Sequence, residues 1–334
     1  MLQFANPAGE VVVYDRVTEE TRLLHVKVVA VESELYTVED IDGNPSDAFE
    51  IGPLGRIDGR VASLLPKLLE PEPALTTRER VDIDGYLAVQ NARTPAFRDF
   101  LADAHDLTMR AEIELNLGPG ASEEETERFI DVRFPGATER GRAEIRRIAA
   151  DPTQRAELPT IDWLDSIAET LPGMLDIMVP RPWVFVTPEQ GAFLTSDTPV
   201  VMIGPLPRGL QSARTIFWPF SPFRALWRTL PGTHDRRKPR FATVPPEQLA
   251  ELNQLAANQA RRQVIWHPDT DSHDAITLPT GPYLRSVNGL PVGPGESSYD
   301  KIRQDLLHRR DVNLQRRARS KPARTKTKVG SSTE

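Results

Sequence analysis

Cysteine is missing from all 334 residues. That excludes disulfides, thiolate metal sites and cysteine nucleophiles, and it agrees with a cytoplasmic protein. No run approaches the roughly 18 apolar residues needed to cross a bilayer, so no membrane partner is expected. The opening stretch MLQFANPAGE lacks the basic region and apolar core of a secretory signal. Several signatures are absent too. There is no Gly-x4-Gly-Lys phosphate loop, no Gly-x-Ser-x-Gly elbow and no Asp…Glu-x-Lys nuclease arrangement, which argues against ATP or GTP hydrolysis and against a serine-elbow esterase. No internal repeat is visible.

What remains is ordinary for a globular chain, 39% hydrophobic and 27% charged, with length enough for a sizeable core. The net charge of −7 is unevenly placed. Residues 301–328 carry eleven Lys or Arg against Asp305 and Asp311, a surplus of nine that leaves −16 on the rest. An acidic body with a basic tail suits a tail that touches nucleic acid or folds back on its own body. The plainer reading is a solvated, disordered end.

Residues 11–17 (VVVYDRV) and 24–31 (LHVKVVAV) read as an antiparallel pair. A helical block follows. Thr76 with Glu79 and Ser122 with Glu125 are spaced as capping boxes, Pro95 ends one helix, and another starts near Thr160. Short apolar runs separated by Pro and Gly over 182–230 indicate antiparallel strands. From Pro246 one helix is expected to reach about Trp266. These features define an α+β fold: an antiparallel sheet with a helical layer on one side. A single domain over 1–285 carries a helical insertion at about 51–178, and 286–334 forms loop, a basic helix and a disordered tail.

The run FLTSDTPVVMI (193–203) sets a polar kink between two apolar segments. Its order relative to other motifs resembles the bacterial domain-of-unknown-function 4238 family. The marks are VVVYDR before VAVESELY, LAVQNARTPAFR with its Gln-x-x-Arg-Thr-Pro pattern, Thr-Ser-Asp-x-Pro-Val after a Trp-containing strand, WPFSP, and LNQLAANQARRQVIW. The similarity spans about residues 1–267. Family members open with a His-x-x-Pro segment ahead of a Leu-x-x-Phe. Here Met1 stands where that Leu would be, so the resemblance implies either a native start upstream of Met1 or a truncated, inactive copy. It implies no particular reaction.

Asp197, in Ser-Asp-Thr-Pro, can fix an Asx-type turn ahead of Pro199, or present a carboxylate to a metal, a water or a substrate hydroxyl. Only the resemblance lends weight to the second role. Ser196 beside it is a weaker nucleophile candidate than a ligand-binding one. Gln90 and Arg93 share a helix face, and a guanidinium beside an amide suits phosphate or carboxylate. Equally, Arg93 could pair with an inward acid such as Asp197 or Glu32. Asn253 and Arg261, eight apart on the expected last helix, could line the same cleft with Gln259, or serve as core-edge hydrogen bonds. Glu32, Glu34 and Asp58 are further carboxylates, of a kind usually solvated. HPDTDSHD (267–274) has metal-ligand residue types but loop spacing. The Arg98…His105 and Arg228…His234 spacings are no more frequent than chance gives.

The reading that joins these is a cytoplasmic protein with a polar cleft, acting as a hydrolase on a phosphate-bearing or nucleic-acid ligand. Asp197, Arg93 and Gln90 would be its catalytic residues, and Asn253, Arg261, Glu32 and Ser196 its ligand contacts. Asp197 would hold a divalent metal or orient water, and Arg93 would stabilise developing charge. The alternatives are a non-catalytic nucleic-acid or protein interaction module and a truncated inactive family member.

Overall fold

The computed structural model describes residues 2–30, 36–39, 44–117, 121–151, 153–204, 210, 213–231, 239–281, 286–287 and 290–291, with residues 304, 307, 308 and 312 of the basic tail. The chain forms two compact units, Met1–Leu101 with Leu158–Gly295, and Ala102–Glu157 with Glu296–Glu334.

The first unit opens with β1 (Glu10–Asp15) and β2 (Glu20–His25), an antiparallel pair in which Val12 faces Leu23. The second strand ends earlier than its β-branched run suggests, because Val26–Val28 turns as a 3-10 segment. Two short strands, β3 (Val38–Glu39) and β4 (Pro45–Ser46), pair with each other. Helices α1 (Gly55–Leu68) and α2 (Thr77–Ala92) follow, and α2 starts on the Thr76–Glu79 capping box. Pro95 begins α3 (Pro95–Asn116), so the proline separates two helices as its ring requires.

The second unit holds α4 (Glu123–Arg133), opened by the Ser122–Glu125 box, and α5 (Glu139–Ala150). Its core is Ile113, Phe129, Ile130, Ile145, Ile148 and Ala156. The fully buried Arg110 donates to the carbonyls of Ile148 and Gln154 there.

Back in the first unit, α6 (Thr160–Met178) leads into β5 (Trp183–Pro188), β6 (Thr195–Ser196), β7 (Val201–Ile203), β8 (Thr215–Ser221), β9 (Arg224–Thr229) and β10 (Arg240–Val244). Then come α7 (Pro246–Gln259) and β11 (Gln263–Trp266). The long closing helix therefore stops seven residues short of Trp266. Ala260 leaves helical geometry at ψ 129, and Val264-Ile265-Trp266 becomes the strand between β1 and β6. Val264 and Trp266 are buried on one face and Ile265 on the other. A strand covered on both sides is apolar throughout, and its sequence then lacks the alternation that separates strand from helix.

The two larger sheets are β2-β1-β11-β6 and β10-β5-β9-β8-β7, and among the described residues β10 and β5 form the one parallel pair. The protein is α+β. Alternation along the five-stranded sheet sends Trp183, Phe185, Ile216, Trp218 and Leu226 toward α1, α2 and α6. Val186, Phe217 and Ala225 face α7 and the four-stranded sheet. On the helical side Arg228, fully buried, pairs with Asp84 of α2 and lies 4.5 Å over the Trp183 ring. Among the described residues no helix is long and apolar enough to cross a membrane.

Candidate functional site

The kink at Ser196-Asp197-Thr198-Pro199 is where the chain changes sheets. β6 belongs to the four-stranded sheet and β7 to the five-stranded one. The local turn is made by Ser196, whose Oγ accepts the Thr198 N–H at 3.1 Å and donates to the Thr198 carbonyl at 3.0 Å. Asp197 does something else. Its carboxylate accepts the backbone N–H groups of Arg261, Arg262 and Gln263 at 2.9, 2.8 and 3.1 Å. Its own N–H donates to the Gln263 carbonyl. The acid thus anchors the α7–β11 turn to the crossover, not the turn it sits in. Burial pushes its pKa above the ordinary carboxylate value, against the three amides and the nearby Arg261 charge.

Arg261 lies in that turn, not on α7, so it does not share a helix side with Asn253. Its guanidinium reaches Asp99 at 3.4 Å. Asn253 is buried on α7. Its Oδ1 accepts the Leu194 N–H and its Nδ2 donates to the Ala192 carbonyl, so one amide stands in for a neighbouring strand. Gly191, at φ +77, sits just before this passage, where a Cβ would come within 3.0 Å of Leu249. Asn253 also borders a hollow of about 160 Å³ with Gln190, Pro246 and Asp271.

Gln90 and Arg93 do meet. Arg93 Nε donates to Gln90 Oε1 at 3.2 Å and Nη1 donates to Asp58 Oδ2 of α1 at 2.8 Å. Burial alone would weaken this guanidinium's hold on its proton, and Asp58 more than restores it. Tyr86, one turn before Gln90, bonds to its side chain, and burial pushes the phenol up to about 12. The Tyr36 hydroxyl donates to the Arg93 carbonyl at 3.1 Å. A phenol, an amide, a guanidinium and a carboxylate therefore run in series across α1 and α2. Asp58 Oδ1 is buried and takes no hydrogen bond. No hydrogen bond joins Asp197 to Arg93 or Gln90.

Glu32 and Glu34 lie outside the described residues, as does His234. Arg98 lies 5.8 Å over Trp163. In the 267–274 loop, His267 Nδ1 accepts the Asp269 N–H, and His273 stacks on Trp266 at 4.6 Å. Among the described residues no three His, Asp or Glu side chains stand together as a metal-binding set. Tyr86 was within reach of sequence reasoning, since Tyr86, Gln90 and Arg93 recur at helical spacing, whereas Asp58 stood only among the usually solvated carboxylates because nothing local tied it to them.

The architecture is that of an α+β protein whose motif residues splice two sheets and two helices together. The chain belongs to the family described as protein of unknown function (DUF4238), which it matches over residues 2–270. No curated protein and no solved structure matches it.

Proposed function

We propose that the chain binds a phosphate-bearing ligand at the Asp58–Arg93–Gln90 network and hydrolyses it there. The observation that carries this is the setting of Arg93. Two side chains hold its guanidinium on Nε and Nη1, and neither bond uses Nη2. An arginine fixed in this way gives up little freedom when an anion arrives. Asp58, with one oxygen unbonded, is the carboxylate that orients water or a metal in the hydrolytic reading. Asp197, Asn253 and Ser196 act on this view as parts of the framework, through the backbone groups they bond. The cysteine-free composition agrees with a cytoplasmic setting.

The test is a panel of phosphomonoesters, nucleotides and oligonucleotides with divalent metals, run on the wild type and on Arg93→Lys. Turnover or binding that falls at least ~10-fold in a variant melting within a few degrees of wild type supports the reading. A wild-type chain that neither binds nor turns over any of the panel overturns it.

A second reading, a non-catalytic interaction module, draws on Asp197 having both oxygens engaged by backbone amides. Nucleic acid is its proposed partner, held by the basic tail.

A further inference from the structure

A second hollow in the first unit is lined by none of the residues of the Arg93 network. It is a cleft of about 430 Å³ lined by Gln3, Leu69, Pro71, Thr187, the β8–β9 turn Ser221-Pro222-Phe223-Arg224, and His267. Three of its features point to one kind of ligand.

The first is charge. Among the described residues no acidic side chain lines this cleft. Arg224 is the one Lys or Arg in the lining among the described residues, and its guanidinium bonds to neutral acceptors. Nη1 donates to Thr187 Oγ1 at 3.3 Å, and Nη2 donates to the carbonyls of Glu70 and Pro71. Its Nε is buried and takes no acceptor. Arg93, Arg228 and Arg262 each have a carboxylate partner. Arg224 does not, so its positive charge stays uncompensated. Burial correspondingly lowers its pKa.

The second feature is a surplus of donors. Thr187 Oγ1 accepts from Arg224 and Ser221 Oγ accepts from the Phe223 N–H, so each hydroxyl keeps its own hydrogen to give. His267 Nδ1 accepts the Asp269 N–H at 3.1 Å, which leaves the proton of a neutral imidazole on Nε2. Asp269 itself is largely exposed and is not part of the lining.

The third is an apolar wall. Leu69, Pro71, Pro222 and Phe223 line the same cleft, and Phe223 is 55% exposed at its edge. The volume falls in the range of small-molecule pockets, about 300–1,000 Å³.

We propose that this cleft binds a small molecule with an anionic head on an apolar body, the head against Arg224 and the body against Phe223 and the prolines. A carboxylate and a phosphate monoester share this chemistry. The inference stands apart from the Arg93 network and does not need it.

The experiment is ligand-observed NMR on the full chain with benzoate, phenyl phosphate and benzyl alcohol as probes. We expect saturable binding of at least one anion and at least ~10-fold weaker binding of the neutral alcohol. Whichever anion binds more tightly identifies the head group. Arg224→Gln should abolish binding. Because Arg224 also holds the Glu70 and Pro71 carbonyls, Phe223→Asp supplies a variant at an exposed position that places a negative charge at the cleft. It should fold normally and lose the anion at least ~10-fold. Because phenyl phosphate also suits the Arg93 network, both anions are titrated in an Arg93→Lys background as well, where the binding that Phe223→Asp removes belongs to the cleft. The proposal is overturned by no saturable binding of either anion, by alcohol binding as tight as the anion, or by a folded Phe223→Asp that binds both anions unchanged in the Arg93→Lys background.

Discussion

Gln259 closes a two-bond ring with the backbone of Met202: its Oε1 accepts the Met202 N–H at 3.0 Å and its Nε2 donates to the Met202 carbonyl at 2.7 Å. Met202 is the middle residue of β7, which is an edge strand. A side-chain amide thus occupies the place where another strand would pair, one way of blunting an open sheet edge. Gln259→Ala should cost about 1–3 kcal/mol in urea unfolding, since it strips partners from two backbone groups at once. Native-state hydrogen exchange should show the Met202 amide losing protection. Protection kept in the variant would mean that the ring contributes nothing.

The three amides gathered by Asp197 make a second, larger case. Asp197→Ala removes every acceptor at the start of β11, and about 3 kcal/mol of stability should go with it. Asp197→Asn keeps one oxygen and should recover part of the loss. If Asp197 acts only through the framework, the folded fraction of each variant should keep the wild-type ligand affinity in a titration at low temperature. Activity lost beyond the unfolded fraction would return this carboxylate to direct chemistry.

Glu79 carries a pH signature. Bonds from Lys67 and from Thr76 at the start of α2 hold its carboxyl from the ordinary 4.5 down to about 2. The folded value is below the unfolded one, so the stability it contributes is complete above about pH 4.5 and is lost as pH falls toward 2. Melting temperatures measured from pH 7 to pH 2.5 should fall less steeply for Glu79→Gln than for wild type. Parallel curves would refute the assignment.

The basic end of the chain supplies the remaining prediction. Deletion of 299–334 removes all eleven basic residues of 301–328. Retention on RNA or DNA should weaken, and its dependence on salt should flatten, because a chain that neutralises fewer phosphates displaces fewer counterions. Filter binding at two or three salt concentrations decides it, and unchanged retention would take the tail out of the functional argument.

Much of the fold was legible locally. Both capping boxes open helices, Pro95 separates two of them, and the short runs after 182 are strands, because each signal depends on residues a few positions apart. Helices α1 and α5 and strand β10 carried no comparably clear punctuation. The error at the chain's close had a definite cause. Ala260 and Val264 continue the helical spacing of Leu249, Leu252 and Ala256 past the end of α7, and only burial between two cores shows that Val264-Ile265-Trp266 is extended. The pairing of Gln90 with Arg93 followed from helical spacing, whereas Asp58 reaches Arg93 across 35 positions.

Residue types and short-range spacing alone established the α+β class, the exclusion of disulfide and thiolate chemistry, and the presence of polar groups at the kink and on α2. Which partners those groups take was decided only in three dimensions. Asp197 bonds to residues 64 to 66 positions away, at the start of a strand that pairs with its neighbour Ser196. A carboxylate's hydrogen bonds reach only about 3 Å, so its partners are set by whatever chain the sheets bring alongside, and local sequence carries no record of that.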